Sequence, residues 1–168
     1  MLKESYAIDG FVLYGKYSRK DVFRILCWDE NPVAQNVVGY IVSPDKSNCP
    51  IFVNYHKEED ISETTKYEDK FINPYVFQYM SKSNRKLTSP DVMAMMNHKK
   101  GLRMPLFVKK HNDEGAEFYY MGEATPIDDA FEETYMVKDT SASISVVKMK
   151  MTLNPPVENN IYTYITSK

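Results

Sequence analysis

The sequence predicts an α+β fold: a strongly curved antiparallel sheet or half-barrel flanked by two or three short helices. Three observations predict it. "ISVVKMKMTL" alternates Val147, Met149, Met151 and Leu153 with Lys148, Lys150 and Thr152, the period of two that puts one face of a strand in a core and the other in water. "PLFVKKH" and "AEFYYMGEA" flank "NDEG", a hairpin signal. "SPDVMAMMNHKKG" carries a cap at Ser89, a proline at the first helical position and Gly101 as terminator, the pattern of a short helix. At 168 residues a single domain, 1–168, with a real core is expected.

The remaining elements follow in chain order. "FVLYGKY" reads as a short strand. "SRKDVFRILCW" reads as a helix, with Ser18 as N-cap, Asp21 in the first turn and Val22, Ile25 and Leu26 on one face. "ENP" ends it. "VVGYIVS" and "PIFVNYH" are strand-like and joined by the turn segment "PDKSN", so they are expected to pair as consecutive antiparallel strands. In the second helix Val92, Met93, Met96 and Leu102 are the expected core face. After Pro155-Pro156, "VENNIYTYITSK" reads as a closing helix. Several strands with few short helices make the curved sheet.

Composition is that of a globular protein, 43% hydrophobic and 26% charged, with 13 tyrosines and one tryptophan. No apolar run reaches a membrane span of roughly 20 residues, and "MLKESYAIDG" lacks the basic head and apolar stretch of a signal peptide. Cys27 and Cys49 are read as reduced thiols, and the expected location is cytoplasmic. His56, His98 and His111 share no ligand spacing, so no metal site is expected. There is no G-x-S-x-G elbow and no phosphate loop. The expectation is therefore no catalytic residue and no cofactor. Net charge is −2, but its distribution is uneven. Lys82 to Lys110 is strongly basic, and His111 to Thr140 is strongly acidic. A basic block of this kind can form a phosphate-binding face. "KYSRK", "SKSNRK" and "HKKGLR" interleave cations with Tyr and Ser, a mixture suited to phosphate contacts and base stacking. Arg19 and Lys20 lie near a helix N-terminus, where the dipole disfavours cations, which favours a task for them outside the helix.

"CPIFVNYHKEEDISETTKYEDKF" collects Tyr55, His56, Tyr67, Glu68 and Asp69 around one loop. The residue types admit a carboxylate active site, a ligand pocket or the polar edge of a sheet. Pro44-Asp45 followed by Glu68-Asp69-Lys70 also matches the short pattern by which restriction-type nucleases hold Mg²⁺ and orient water. Asp45, Glu68 and Lys70 would carry that chemistry, although Asp45 sits in a turn signal.

"FVLYGKYSRKDVFRILCWD", "CPIFVNYHK", "KYEDKF", "PLFVKKHNDEGAEFYYMGEA" and "NPPVENNIYTYI" resemble the C-terminal domain-of-unknown-function family of bacterial superfamily 2 helicases. Its best-understood setting is the modification-dependent, type IV restriction enzyme of the SauUSI kind. The resemblance runs from about Phe11 to Ile165. It implies an SRA-like (SRA/PUA) target-recognition fold that selects DNA carrying 5-methylcytosine or 5-hydroxymethylcytosine by base flipping. It also implies a parent protein whose phospholipase-D-like nuclease and helicase domains do the cutting, so that this chain is an excised or a stand-alone reader.

An extruded cytosine needs aromatic planes for stacking, an acid to accept from its N4 amine and a small apolar recess for the methyl group. By composition and position, Tyr55, Tyr67, Phe71 and Asp69 supply that kit, with His56 and Glu68 in reserve and Tyr79 and Ser81 as wall. Lys16, Ser18, Arg19, Lys20, Lys82, Arg85, Lys86, Lys99, Lys100, Lys109 and Lys110 are the expected contacts to the DNA backbone. The expected partner is double-stranded DNA with modified cytosine. The alternatives are the Mg²⁺-dependent nuclease and a protein-interaction domain that docks on a helicase.

Overall fold

The computed structural model describes residues 7–8, 10–28, 39–56, 69–137 and 143–167. Tyr67 and Glu68 of the candidate pocket lie outside them.

A small ribbon pairs β1 (Ala7–Ile8) with β2 (Phe11–Val12). The main sheet is a curved mixed sheet. Its path runs β4 (Ile51–His56), β7 (Pro105–His111), β8 (Glu117–Pro126), β10 (Ser143–Leu153), β6 (Val76–Met80) and β5 (Lys70–Asn73). β3 (Lys16–Ser18) pairs with β8, and β9 (Glu132–Val137) extends β10 as a hairpin. The expected α+β half-barrel is thus the fold observed.

One pairing differs from expectation. Among the described residues β4 forms no ladder with the segment before it, where an isolated antiparallel bridge joins Tyr40 to Ile51. Instead β4 lies parallel to β7 in the register Ile51↔Leu106 to His56↔His111. Both strands are apolar on both faces for most of their length, which is what a doubly covered parallel pair requires.

The sheet buries both faces. Inside the curve, Ile51, Val53, Leu106, Val108, Phe77, Met149 and Met151 form the main core. Two helices cover it. α2 (Pro90–Met96) contributes Met95 and α3 (Asn159–Thr166) contributes Ile165. On the convex side, Phe52, Phe107, Phe118 and Tyr120 form an aromatic layer under α1 (Arg19–Ile25), which buries Val22 and Phe23. α1 begins as predicted, with Ser18 and Asp21 in a reciprocal capping box. α2 is rotated from its expected face. Val92 and Met95 are buried, whereas Met93 is 46% exposed. The helix is only 7 residues long, so a core face judged from apolar identity alone can be off by one position.

β4 and β5 are the two ends of the sheet path, and side chains join them. The Phe71 backbone N–H donates to the Tyr55 hydroxyl at 3.3 Å. The two rings stack with centroids 5.8 Å apart. The half-barrel is closed at this seam by an aromatic strap rather than by a backbone ladder.

Candidate functional site

Beside the strap the seam opens into a cavity of about 140 Å³. Five separate parts of the chain line it. β4 supplies Phe52 and Asn54, and the segment before β5 supplies Asp69. The end of β6 supplies Tyr79, Met80, Ser81 and Lys82. Gly39-Tyr40 and Arg19 complete it. A cavity of ~150 Å³ takes a benzene molecule, so this one is of the right order for a single six-membered ring. The walls are chemically unequal: the rings of Phe52, Tyr40 and Tyr79 are apolar, Asp69 offers a carboxylate, and Arg19 and Lys82 are cations.

Each wall is held by the fold. Asp69 sits just before β5, and its Oδ1 accepts from the Met80 backbone N–H at 3.0 Å. This bond orients the carboxylate against the β6 end. Ser81 is fully buried, its hydroxyl donating to the Lys82 carbonyl at 3.0 Å and accepting from Val147 N–H at 2.8 Å. It braces the wall through β10, with its proton already committed. Gly39 has φ +79°, and a Cβ there would lie 2.9 Å from the Tyr79 hydroxyl. Its carbonyl accepts from Phe52 N–H at 2.6 Å. The backbone at 39 therefore approaches both walls closely, which only glycine permits.

Tyr40 is the rear support. Its hydroxyl donates to Asp91 and accepts from Lys82 N–H, while Arg85 Nε donates to the same Asp91 oxygen at 2.8 Å. Burial and the Asp91 bond both hold the Tyr40 phenol protonated, well above its ordinary pKa. Burial would raise Asp91, but the bonds from Tyr40 and Arg85 outweigh it and the carboxyl lies below its usual range. The Lys82 ammonium stands 4.8 Å from the Tyr40 ring centroid. Burial, then repulsion from Arg85, lowers its pKa. An open cleft of about 510 Å³, lined by Asn84, Arg85 and Asp91 among others, shares Tyr40 and Lys82 with the cavity.

Of the residues singled out from sequence, Asp69, Tyr79, Ser81, Arg19 and Lys82 meet at this cavity. Tyr55 and Phe71 do not line it. They are packed against the main core as the seam strap, because alternation along β4 turns Tyr55 inward with Val53 while Phe52 and Asn54 face the other way. His56 is also elsewhere: its Nε2 is 2.9 Å from the Ile165 carbonyl, and its ring lies 5.0 Å from that of His111.

The expected backbone contacts separate into several environments. Lys109 is only 4% exposed and donates to the Gly115 carbonyl at 2.8 Å, so it is not part of an outer basic face. Ser18 spends its hydroxyl on the α1 cap. Lys99 pairs with Asp128 at 2.7 Å, where His98 also contacts it. Lys110 lies over the Tyr164 ring at 4.7 Å and Lys16 over Tyr119 at 5.1 Å. Lys20, Lys86 and Lys100 are exposed. Asp45, the first residue of the nuclease pattern, accepts from Ser43 Oγ at 2.7 Å and Ser47 Oγ at 2.6 Å. The bonds from Ser47 and then Ser43 lower its pKa. These contacts make it a turn-forming carboxylate, while Glu68 lies outside the described residues. Among the described residues no group of three or more His, Cys, Asp or Glu is placed to hold a metal. Nor does any of their helices have the length and apolarity to cross a membrane.

Gly39, Tyr40, Phe52, Asn54 and Met80 were not anticipated at the site. Two signals were present. A glycine inside an apolar run marks a close backbone approach, and Asn54 interrupts the apolar strand at a position that alternation places with Phe52.

A family model described as "Domain of unknown function (DUF3427)" matches residues 11–165. No curated protein matches the chain. Among solved structures, the "DNA modification-dependent restriction endonuclease AspBHI" superposes with a TM-score of 0.52 at 10% identity, over 75% of this chain and 66% of that one. SUVH6 of Arabidopsis thaliana, in complex with SAM, superposes with a TM-score of 0.52 at 15% identity, over 91% of this chain and 28% of that one. The chain thus spans just under two thirds of the first and just over a quarter of the second, and at such identities the likeness is one of fold.

Proposed function

The chain belongs to the DUF3427 family, and on that premise we propose that it is a reader of DNA containing modified cytosine. The base, 5-methylcytosine or 5-hydroxymethylcytosine, is extruded from the duplex into the seam cavity. The observation that carries the reading is the cavity itself: ring-sized, with aromatic walls from Phe52, Tyr40 and Tyr79 and the Asp69 carboxylate on the same lining. A carboxylate accepts from the cytosine N4 amine, which thymine lacks. Stacking on aromatic faces contributes roughly 1–3 kcal/mol per base, of the order needed to offset unstacking a nucleotide, a few kcal/mol. The sequence blocks that resemble the target-recognition domain of type IV restriction enzymes support the same reading. So does the fold shared with a protein named as a modification-dependent restriction endonuclease.

In this reading the domain binds and does not cut. Cleavage and translocation belong to nuclease and helicase domains of a parent protein. Lys82 and Arg85 beside the cavity, with exposed Lys20, Lys86 and Lys100, supply phosphate contacts and the salt dependence they bring. The test is direct binding to matched duplexes that differ only in one cytosine: unmodified, 5-methyl or 5-hydroxymethyl. Tighter binding to a modified duplex, lost in Asp69→Ala, is the expected result. Equal affinity for all three would reject the reading.

A further inference from the structure

Arg19 is built into the cavity in an unusual way for a surface cation. It is the first residue of α1, where the helix dipole disfavours a positive charge. Its guanidinium lies 5.5 Å from the Phe52 ring centroid and 5.0 Å from that of Phe118. Its Nε is buried and makes no hydrogen bond, and no carboxylate among the described residues pairs with it. A second cation shares the same ring: the buried Lys109 ammonium is 4.6 Å from the Phe118 centroid. Burial lowers the pKa of both, and Arg19 lowers that of Lys109 further. Arg19 lines the cavity and Lys109 stands behind it on the shared Phe118 ring; two neighbouring, poorly solvated cations on aromatic faces make a field that favours an anion on the Arg19 side.

We propose that Arg19, backed by Lys109, is an oxyanion subsite of the cavity, occupied by an acidic group carried on the extruded nucleotide. The inference rests on the base-extrusion reading and gives Arg19 a task distinct from general contact with the duplex backbone. A planar guanidinium fork suits the paired oxygens of a phosphate or carboxylate. Two sources present that chemistry: the phosphate adjoining the extruded base, and a carboxyl group at C5 of an oxidised cytosine.

The full chain and its Arg19→Gln and Arg19→Lys variants are titrated against four matched duplexes. These carry unmodified cytosine, 5-methylcytosine, 5-methylcytosine beside one uncharged methylphosphonate, and 5-carboxylcytosine. Arg19→Gln is expected to lower affinity by roughly tenfold or more for the duplex bearing the oxyanion, as loss of a charged hydrogen bond does. Arg19→Lys should recover only part, since a point charge replaces a fork. If wild type is weakened by the methylphosphonate and Arg19→Gln is not weakened further, the oxyanion is the phosphate. If wild type prefers 5-carboxylcytosine and Arg19→Gln loses that preference, it is the base. Thermal melts verify folding, and Arg19→Met, which keeps the stem against the rings, replaces Arg19→Gln if the latter unfolds. Unchanged affinities in the folded neutral variant, with discrimination of the methylated duplex intact, overturn the subsite and leave the reader standing. Equal wild-type affinity for all four overturns both.

Discussion

On β4, Ile51, Val53 and Tyr55 point into the sealed interior of the half-barrel, whereas Phe52 and Asn54 between them face α1 and the seam cavity. Five consecutive residues on one backbone thus serve two regions with opposite demands. In the interior Ile51 and Val53 are buried among apolar side chains, and such positions tolerate others of similar shape. The seam is where the sheet path ends at β4 and β5. The missing ladder leaves room there for polar groups, a glycine close approach and a void. The core and the proposed recognition site are separated by the alternation of a strand, and the Tyr55 hydroxyl is the bolt between them.

Substitutions can break this separation, and the largest effect belongs to the interior. Phe77 is fully buried in the main core, and Phe77→Ala should lower stability by about 3–5 kcal/mol, measured by denaturant unfolding. The folded fraction should keep its preference among duplexes. Next come the cavity walls, with the effect in binding. Asp69→Ala should remove about 1–3 kcal/mol of base discrimination in duplex titrations. Gly39→Val, whose Cβ meets the Tyr79 hydroxyl at 2.9 Å, should abolish modified-base preference while retaining salt-sensitive binding. Tyr55→Phe sharpens the boundary. It deletes the acceptor of Phe71 N–H across the seam and should lower stability by about 1 kcal/mol, with discrimination almost unchanged. If it instead behaves like Asp69→Ala, Tyr55 is part of the pocket and the separation fails.

The pH response tests the rear support. Asp91 has a folded pKa below its unfolded value, so the folded state binds fewer protons than the unfolded state as Asp91 titrates. Its contribution is present above the unfolded pKa, ~3.9, and is lost as pH falls through the lower folded value. Asp91→Asn should flatten stability against pH below about 4, read by thermal melts across that range. The smallest effect is at the rim. Lys86→Ala should weaken binding to all duplexes alike and reduce the salt slope by about one.

Much of this was legible from local pattern. The alternation of Val147 to Leu153 named the buried face of β10, and Ser18 with Asp21 named the start of α1. The "NDEG" segment joined β7 to β8, and Gly101 closed the turn after α2. Part of the site was legible too, since Asp69, Tyr79 and Ser81 were chosen for chemistry that the cavity lining also displays. The groupings that the structure takes apart have a common origin. Tyr55, Phe71 and Asp69 flank one loop in the sequence, but alternation along β4 turns Tyr55 to the core, where Phe71 packs on it, while Asp69 precedes β5 and binds the end of β6. The basic block from Lys82 to Lys110 looked like one surface, yet Lys109 lies inside and Lys99 is paired with Asp128.

By itself the sequence determined the elements, their amphipathic faces and the kinds of side chain available to the proposed pocket. Those follow from periodicities of two and 3.6 and from the chemistry of single residues, which are local. Only the tertiary structure decided that β4 runs parallel to β7, that the sheet stops short of closing, and that Gly39, Phe52, Asn54, Asp69, Tyr79 and Arg19 surround one void. The physical reason is that strand order and sheet closure depend on contacts between segments far apart in the chain. No local pattern encodes which two edges will face each other across a seam.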